Sequence, residues 1–332
     1  MTENEYTAIQ QSLLIDELIF EHEIKEYICW YYTPMAFKFT QHLEPLAVIY
    51  DCMDELSAFK NPPPGLRELE GELLNRADLV FTGGFSLYEA KRHLHSSIYP
   101  FPSSIDARHF KQARLGVNAP ADQADIPHPR LGFYGVIDER FDIALLDLLS
   151  QKRPDWHFVI VGPVVKIDSA DLPRRQNIHY LGGKAYQELP TYLSGWDIAM
   201  LLFAHNESTR YISPTKTPEY LAAGVPVIST SIRDVVRPYG QQGLVKIADT
   251  ADEFIAATEY YLSAEFNRAN WLRQVNEALL YNSWDRTWGR MLQLINAVLV
   301  ERYAEYKTLN RQLSTSTGSL LKSAVVSQVT GD

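Results

Sequence analysis

The chain has 332 residues, 46% hydrophobic and 22% charged, which is enough to build two domains with real cores. A formal net charge of -10 excludes the basic stripe of a nucleic-acid binder. Cys29 and Cys52 form no metal pattern and fit a reducing compartment, and no apolar run reaches the roughly 18 residues of a membrane span, so a soluble cytoplasmic protein is expected.

Residues 6–24 carry Ile9, Leu13, Leu14, Leu18 and Ile19 at helical spacing, which predicts an amphipathic helix. Short apolar runs at Tyr27–Tyr31, Ala47–Tyr50, Leu79–Thr82 and Ile98–Phe101 read as strands. Helical segments fall between them at Leu66–Arg76 and Leu87–His95, and this alternation implies a parallel sheet. Pro102 to Phe110 leaves that unit, and residues 111–129, rich in Ala, Pro and Asp with little periodicity, read as a linker.

A second unit begins near Leu131, with strands predicted at Leu131–Tyr134, His157–Val161, Ile178–Leu181, Ile198–Leu202, Val225–Ser229 and Val245–Ile247. Helices at about 141–151, 186–194, 217–223 and 252–263 separate them, giving a complete doubly wound domain. Helices at 265–281 and 285–303 follow, and the Ser- and Thr-rich stretch 308–332 is expected to fray. The domain reading is therefore 1–110, a linker 111–129, a second lobe 130–284, a helix 285–303 and a tail 304–332.

The segment from Ser213 to Ser229 is the most informative. Pro214 and Pro218 fit only the first turn of a helix, where backbone N–H groups lack internal partners. Those amides and the positive end of the helix dipole make an anion site. Lys216 and Glu219, three apart, share a helix face: a cation for a phosphate and a carboxylate for ribose hydroxyls. The other reading is a capped helix with one exposed ion pair.

In order along the chain, Tyr134-Gly135-Val136-Ile137-Asp138-Glu139-Arg140, Val161-Gly162-Pro163, Asn177 to Gly182, Trp196 to Leu202 and the 213–229 segment stand as one constellation. Phe101 to Phe110 and Ser283-Trp284-Asp285-Arg286 add to it. The chain resembles the family 4 glycosyltransferases of the GT-B fold, over about 130–300 well and 27–110 in part. The resemblance implies an α/β chain of two Rossmann-like lobes with parallel sheets, the second complete. The first is expected to be incomplete, since about four strands are found where six are usual and no glycine-rich loop precedes Tyr27. It also implies transfer of a sugar from a nucleoside-diphosphate donor, UDP- or dTDP-linked, to a hydroxyl of a glycan or lipid-linked glycan. Retention, no metal, no further cofactor and a place at the inner face of the membrane are part of that expectation.

Residue by residue, the resemblance puts Arg140 and Lys216 on the diphosphate, with Ser213 and Thr215 beside Lys216, and Glu219 on the ribose. Gly135, Gly162, Gly183 and Tyr186 complete the expected donor site. Eight positions before Glu219, where the family has a second glutamate, stands Tyr211, so the sugar contacts are left open. Asp54 follows a strand end, where it either orients or deprotonates the acceptor hydroxyl or, like Asp51, caps the next turn. Thr82 to Ser86 either turns its amides to the same cleft or is a tight turn capped by Ser86. Lys91, Arg92 and His93 read as a peripheral membrane contact or as a solvated helix face. The alternatives carried forward are a nucleotide-sugar epimerase on the same fold and a non-catalytic nucleotide-binding remnant.

Overall fold

The computed structural model describes residues 3–116 and 119–304; the tail predicted at 308–332 lies outside them. Two compact units emerge, one of residues up to 51 with 68–80 and 288 onward, the other of residues 52–67 with 81–287. No helix among the described residues is long and apolar enough to cross a membrane.

The chain is α/β, with two sheets. The first holds β1 (Ile28–Tyr31), β2 (Ala47–Cys52), β3 (Leu79–Thr82) and β4 (Ile98–Pro100) in that order. β1 and β2 run parallel with Ile28 opposite Ala47, and all six residues of β2 are buried. A strand buried on both faces needs the unbroken apolar run that Ala47 to Tyr50 supplies. In the first unit Trp30 packs on Trp288, ring centres 6.1 Å apart, and the Tyr50 hydroxyl donates to Glu70 at 2.8 Å. The helix Glu3–Glu21 carries exposed Leu13, Leu14 and Phe20.

The second sheet contains β5 (Arg130–Tyr134), β6 (His157–Val161), β7 (Ile178–Gly182), β8 (Ile198–Leu201), β9 (Val227–Ser229) and β10 (Val245–Ile247), in the order β10-β9-β8-β5-β6-β7. Every pairing in it is parallel. Side chains alternate between its two faces. Leu131, Phe133, Phe158, Ile160, Ile198 and Met200 pack on one side with Leu146, Leu149 and Trp156. Tyr134, Val159, Val161, Ala199 and Leu201 pack on the other with Trp196, Tyr220 and Leu221.

Strand order decides where a ligand can sit. From β5 the chain builds outward through β6 to β7, then returns to β8 on the other side of β5. Connections on either side of such a reversal leave toward opposite faces and open a crevice beyond the carboxyl ends of the strands. The loops after β5 and β8 must therefore form its walls.

Gln123 packs with the residues that lead into β8. Gln123 is fully buried; its amide donates to the Tyr192 carbonyl at 3.0 Å and its Oε1 accepts from the Trp196 indole at 2.8 Å. The helix predicted at 285–303 spans 284–304.

Candidate active site

A cavity of about 170 Å³ opens at the switch point. From the loop after β5 it is lined by Val136, Asp138 and Arg140, and from the loop after β8 by Phe203, Ser213, Thr215 and Lys216. Asp54, Gly83 and Ser103 also reach it. Every one of these residues belongs to the second unit.

Lys216 opens the helix Lys216–Ala223, which is preceded by Pro214 and carries Pro218 in its first turn, positions that suit proline's missing N–H. Among the described residues no side chain caps this helix, so its positive end is left to whatever enters the cavity. The Lys216 stem lies against Gly135. A Cβ at Gly135 would fall 2.2 Å from Lys216 Cε, and the backbone there has φ 141, which side chains rarely adopt. Gly162 is needed for a related reason, since a Cβ there would sit 1.8 Å from the Gly135 carbonyl oxygen. The two glycines let the loops after β5 and β6 meet backbone to backbone and leave a slot for the lysine.

The ammonium sits 5.7 Å from the Phe133 ring centre and 5.9 Å from that of Phe203. Among the described residues no carboxylate comes within ion-pairing distance of it. Burial pushes its pKa down, the Arg140 charge pushes it further, and Glu219 and Asp138 pull back. A charged amine held this way is short of negative charge, and an anion in the cavity would relieve it.

Arg140 is aimed by Asp138, a buried carboxylate two residues back. Arg140 Nε donates to both Asp138 oxygens at 3.1 Å, and Nη2 donates to Oδ2 at 2.7 Å. The fork is thus fixed on one side and leaves Nη1 without a partner among the described residues. Phe59 lies under the guanidinium at 5.3 Å. The same segment, 52–67, brings Asp54 to the cavity, where burial raises its carboxyl pKa and the Arg140 charge partly offsets the rise. An ion pair at 2.8 Å between half-buried Glu55 and buried Lys91 fastens the segment.

Glu219, one turn beyond Lys216, is half-buried and accepts through Oε2 from the Tyr134 hydroxyl. Its second oxygen carries no bond to a described residue. Burial pushes the Glu219 carboxyl up, against the pull of Tyr134 and Lys216. Tyr134 is itself held by Tyr220, whose hydroxyl accepts from the Tyr134 amide at 3.0 Å.

The structure thus brings Arg140, Lys216, Asp54, Ser213 and Thr215 to one cavity, while Gly135, against the Lys216 stem, and Gly162, against the Gly135 backbone, do not line it. Glu219, one helical turn on from Lys216, does not line the cavity, and neither Gly183 nor Tyr186 lines it. Tyr186 stacks on His109, ring centres 4.5 Å apart, and a Cβ at Gly183 would lie 4.0 Å from Pro163 Cδ. Asp51 accepts from the Trp30 indole at 3.2 Å instead of capping a turn. Ser86 does not cap with its hydroxyl; its amide donates to Asp234 at 2.9 Å. Sequence reasoning named Tyr134 and Asp138 only as members of a motif, with no role, and missed Phe59 and Phe203. The Asp-x-Arg spacing at 138–140 was the signal that could have given Asp138 its role.

Residues 129–264 match the family described as Glycosyl transferases group 1. Over 277 residues the chain is 26% identical to TuaH of Bacillus subtilis (strain 168), a glycosyltransferase named for teichuronic acid biosynthesis, with 76% of this chain and 68% of that one covered. Among solved structures it is similar to Anabaena Alr3699/HepE in complex with UDP and glucose, with a TM-score of 0.69 at 13% identity over 86% of this chain and 82% of the other. Sucrose-phosphate synthase of Thermosynechococcus elongatus gives a TM-score of 0.62 at 15% identity, over 82% and 74% of the two chains. The fold is GT-B, and the chain is an enzyme of the glycosyltransferase class.

Proposed function

We propose that the chain transfers a sugar from a UDP- or dTDP-linked donor to a hydroxyl of a glycan or lipid-linked glycan, with retention and without a metal. The observation that carries this reading is the convergence of Arg140 and Lys216 on one cavity from the loops after β5 and β8. Breaking the bond between the sugar and the diphosphate leaves negative charge on the leaving group. Two fixed cations in a half-buried site stabilise that charge as it develops. They do the work a divalent ion would otherwise do. The open oxygen of Glu219 accepts from the ribose hydroxyls. Asp54 orients the acceptor hydroxyl, whose oxygen bonds to the anomeric carbon while its proton passes to the departing phosphate.

The likeness to TuaH favours polysaccharide biosynthesis as the setting, in the cytoplasm at the inner face of the membrane, where a lipid-linked acceptor would lie. The test is release of UDP from UDP-sugars by the purified chain in a chelating buffer, with and without glycan acceptors. Acceptor-dependent release supports transfer. An epimerised sugar formed without acceptor would replace this reading with epimerisation, and UDP binding without turnover would reduce it to a binding protein.

A further inference from the structure

The turn Gly83–Gly84 that follows β3 is wedged between two walls of the diphosphate cavity, all of them within the second unit. A Cβ at Gly83 would fall 2.4 Å from the Met53 carbonyl oxygen, and one at Gly84 would fall 2.7 Å from Ser213 Cβ. Met53, Gly83 and Ser213 all line the cavity. Whatever seats this turn therefore sets where those walls stand.

A buried carboxylate seats it. Asp234, in the short helix Arg233–Val235 beyond β9, is 5% exposed and accepts from the Ser86 amide through Oδ1 at 2.9 Å. Its other oxygen, Oδ2, would lie 2.2 Å from a Cβ on Gly84, so only a glycine lets the turn close on it. Burial raises the Asp234 pKa, and the Ser86 and Phe85 donors and the Arg233 charge pull it back. The same elements are joined again by Glu89, which Arg233 reaches at 2.6 Å and Arg237 at 2.5 Å. Those pairs are partly exposed and contribute little, so the buried bond of Asp234 carries most of the anchoring. At the far end of the helix Phe85–Lys91, Lys91 holds Glu55, two residues from Met53.

We propose that Asp234 is a positioning residue for the donor cavity, seating the Gly83–Gly84 turn so that Gly83 and Ser213 stand where a diphosphate needs them. The proposal rests on the donor site read above and deepens it. Asp234 does not line the cavity, so it acts through Gly84 and Ser213.

The experiment is calorimetric titration of UDP against the full chain, Asp234→Ala, Asp234→Asn, Gly84→Ala and the double variant of Gly84→Ala with Asp234→Ala, each with its melting temperature. Asp234→Ala should weaken UDP about threefold to tenfold, and Asp234→Asn, which keeps an oxygen for the Ser86 amide, should recover most of the loss. The Gly84 backbone is extended, with φ -171, so Gly84→Ala should weaken UDP through its contacts alone. The double variant should lose less than the product of the two single losses, because removing the carboxylate makes room for the methyl. A lower melting temperature with UDP affinity kept in Asp234→Ala, no rescue by Asp234→Asn, or losses that simply multiply would overturn the proposal while the donor site stands. Should Asp234→Ala fail to fold, UDP affinity kept in Gly84→Ala overturns it instead. Failure of wild type to bind UDP overturns the donor site and this role together.

Discussion

Asp51 offers a direct test of how burial sets the electrostatics of the first sheet. It is 4% exposed at the end of β2, one oxygen accepts from Trp30, and the other is buried without a partner among the described residues. Burial pushes its pKa from 3.8 up to about 6, with the indole bond offsetting part of the rise. Between those values the folded chain holds a proton that the unfolded chain has lost, so stability falls as pH rises through that window. A gap of about two pH units corresponds to about 3 kcal/mol, missing in full by pH 7. Asp51→Asn keeps an oxygen for Trp30 and never ionises. Urea unfolding at pH 4, 5, 6 and 7 should show the wild type losing about 3 kcal/mol that the variant does not lose, so that Asp51→Asn is the more stable of the two proteins at pH 7. Parallel loss in both proteins across that range would refute the reasoning.

Two substitutions examine the walls of the donor cavity. Gly135→Ala places a Cβ 2.2 Å from Lys216 Cε at a φ of 141. Strain of roughly 1–3 kcal/mol should lower the melting temperature, and the displaced lysine should weaken UDP binding about tenfold; unchanged UDP affinity would mean that the slot does not position Lys216. Tyr134→Phe removes the donor that holds Glu219. It should weaken UDP by roughly threefold to tenfold and leave inorganic pyrophosphate unaffected, because only UDP carries a ribose; an equal loss for both ligands would remove Glu219 from the ribose.

Much of the second lobe is legible in the sequence because parallel strands buried on both faces must be continuous apolar runs. Ile198 to Leu201 and His157 to Val161 declare themselves that way, and the loops at their ends follow. Lys216 and Arg140 stand out as cations at strand-to-helix junctions, a local pattern. The residues that aim and frame them are a different matter. Phe59 reaches Arg140 across about 80 positions and Tyr134 reaches Glu219 across 85. Contacts of that range follow from packing and leave no periodic trace. Within the stretch read as a linker, the buried amide of Gln123 bonds Trp196 and Tyr192, a contact that composition does not announce. Val225 and Pro226, read as part of a strand, stand outside β9; proline has no N–H to give to a ladder.

Calorimetric titration of UDP against wild type, Lys216→Ala and Arg140→Ala bears most directly on the claim that a diphosphate is held between those two side chains. Loss of a bond to a charged group predicts about tenfold to a hundredfold weaker binding in each variant, with the fold intact by circular dichroism. Wild-type affinity in both variants would contradict it.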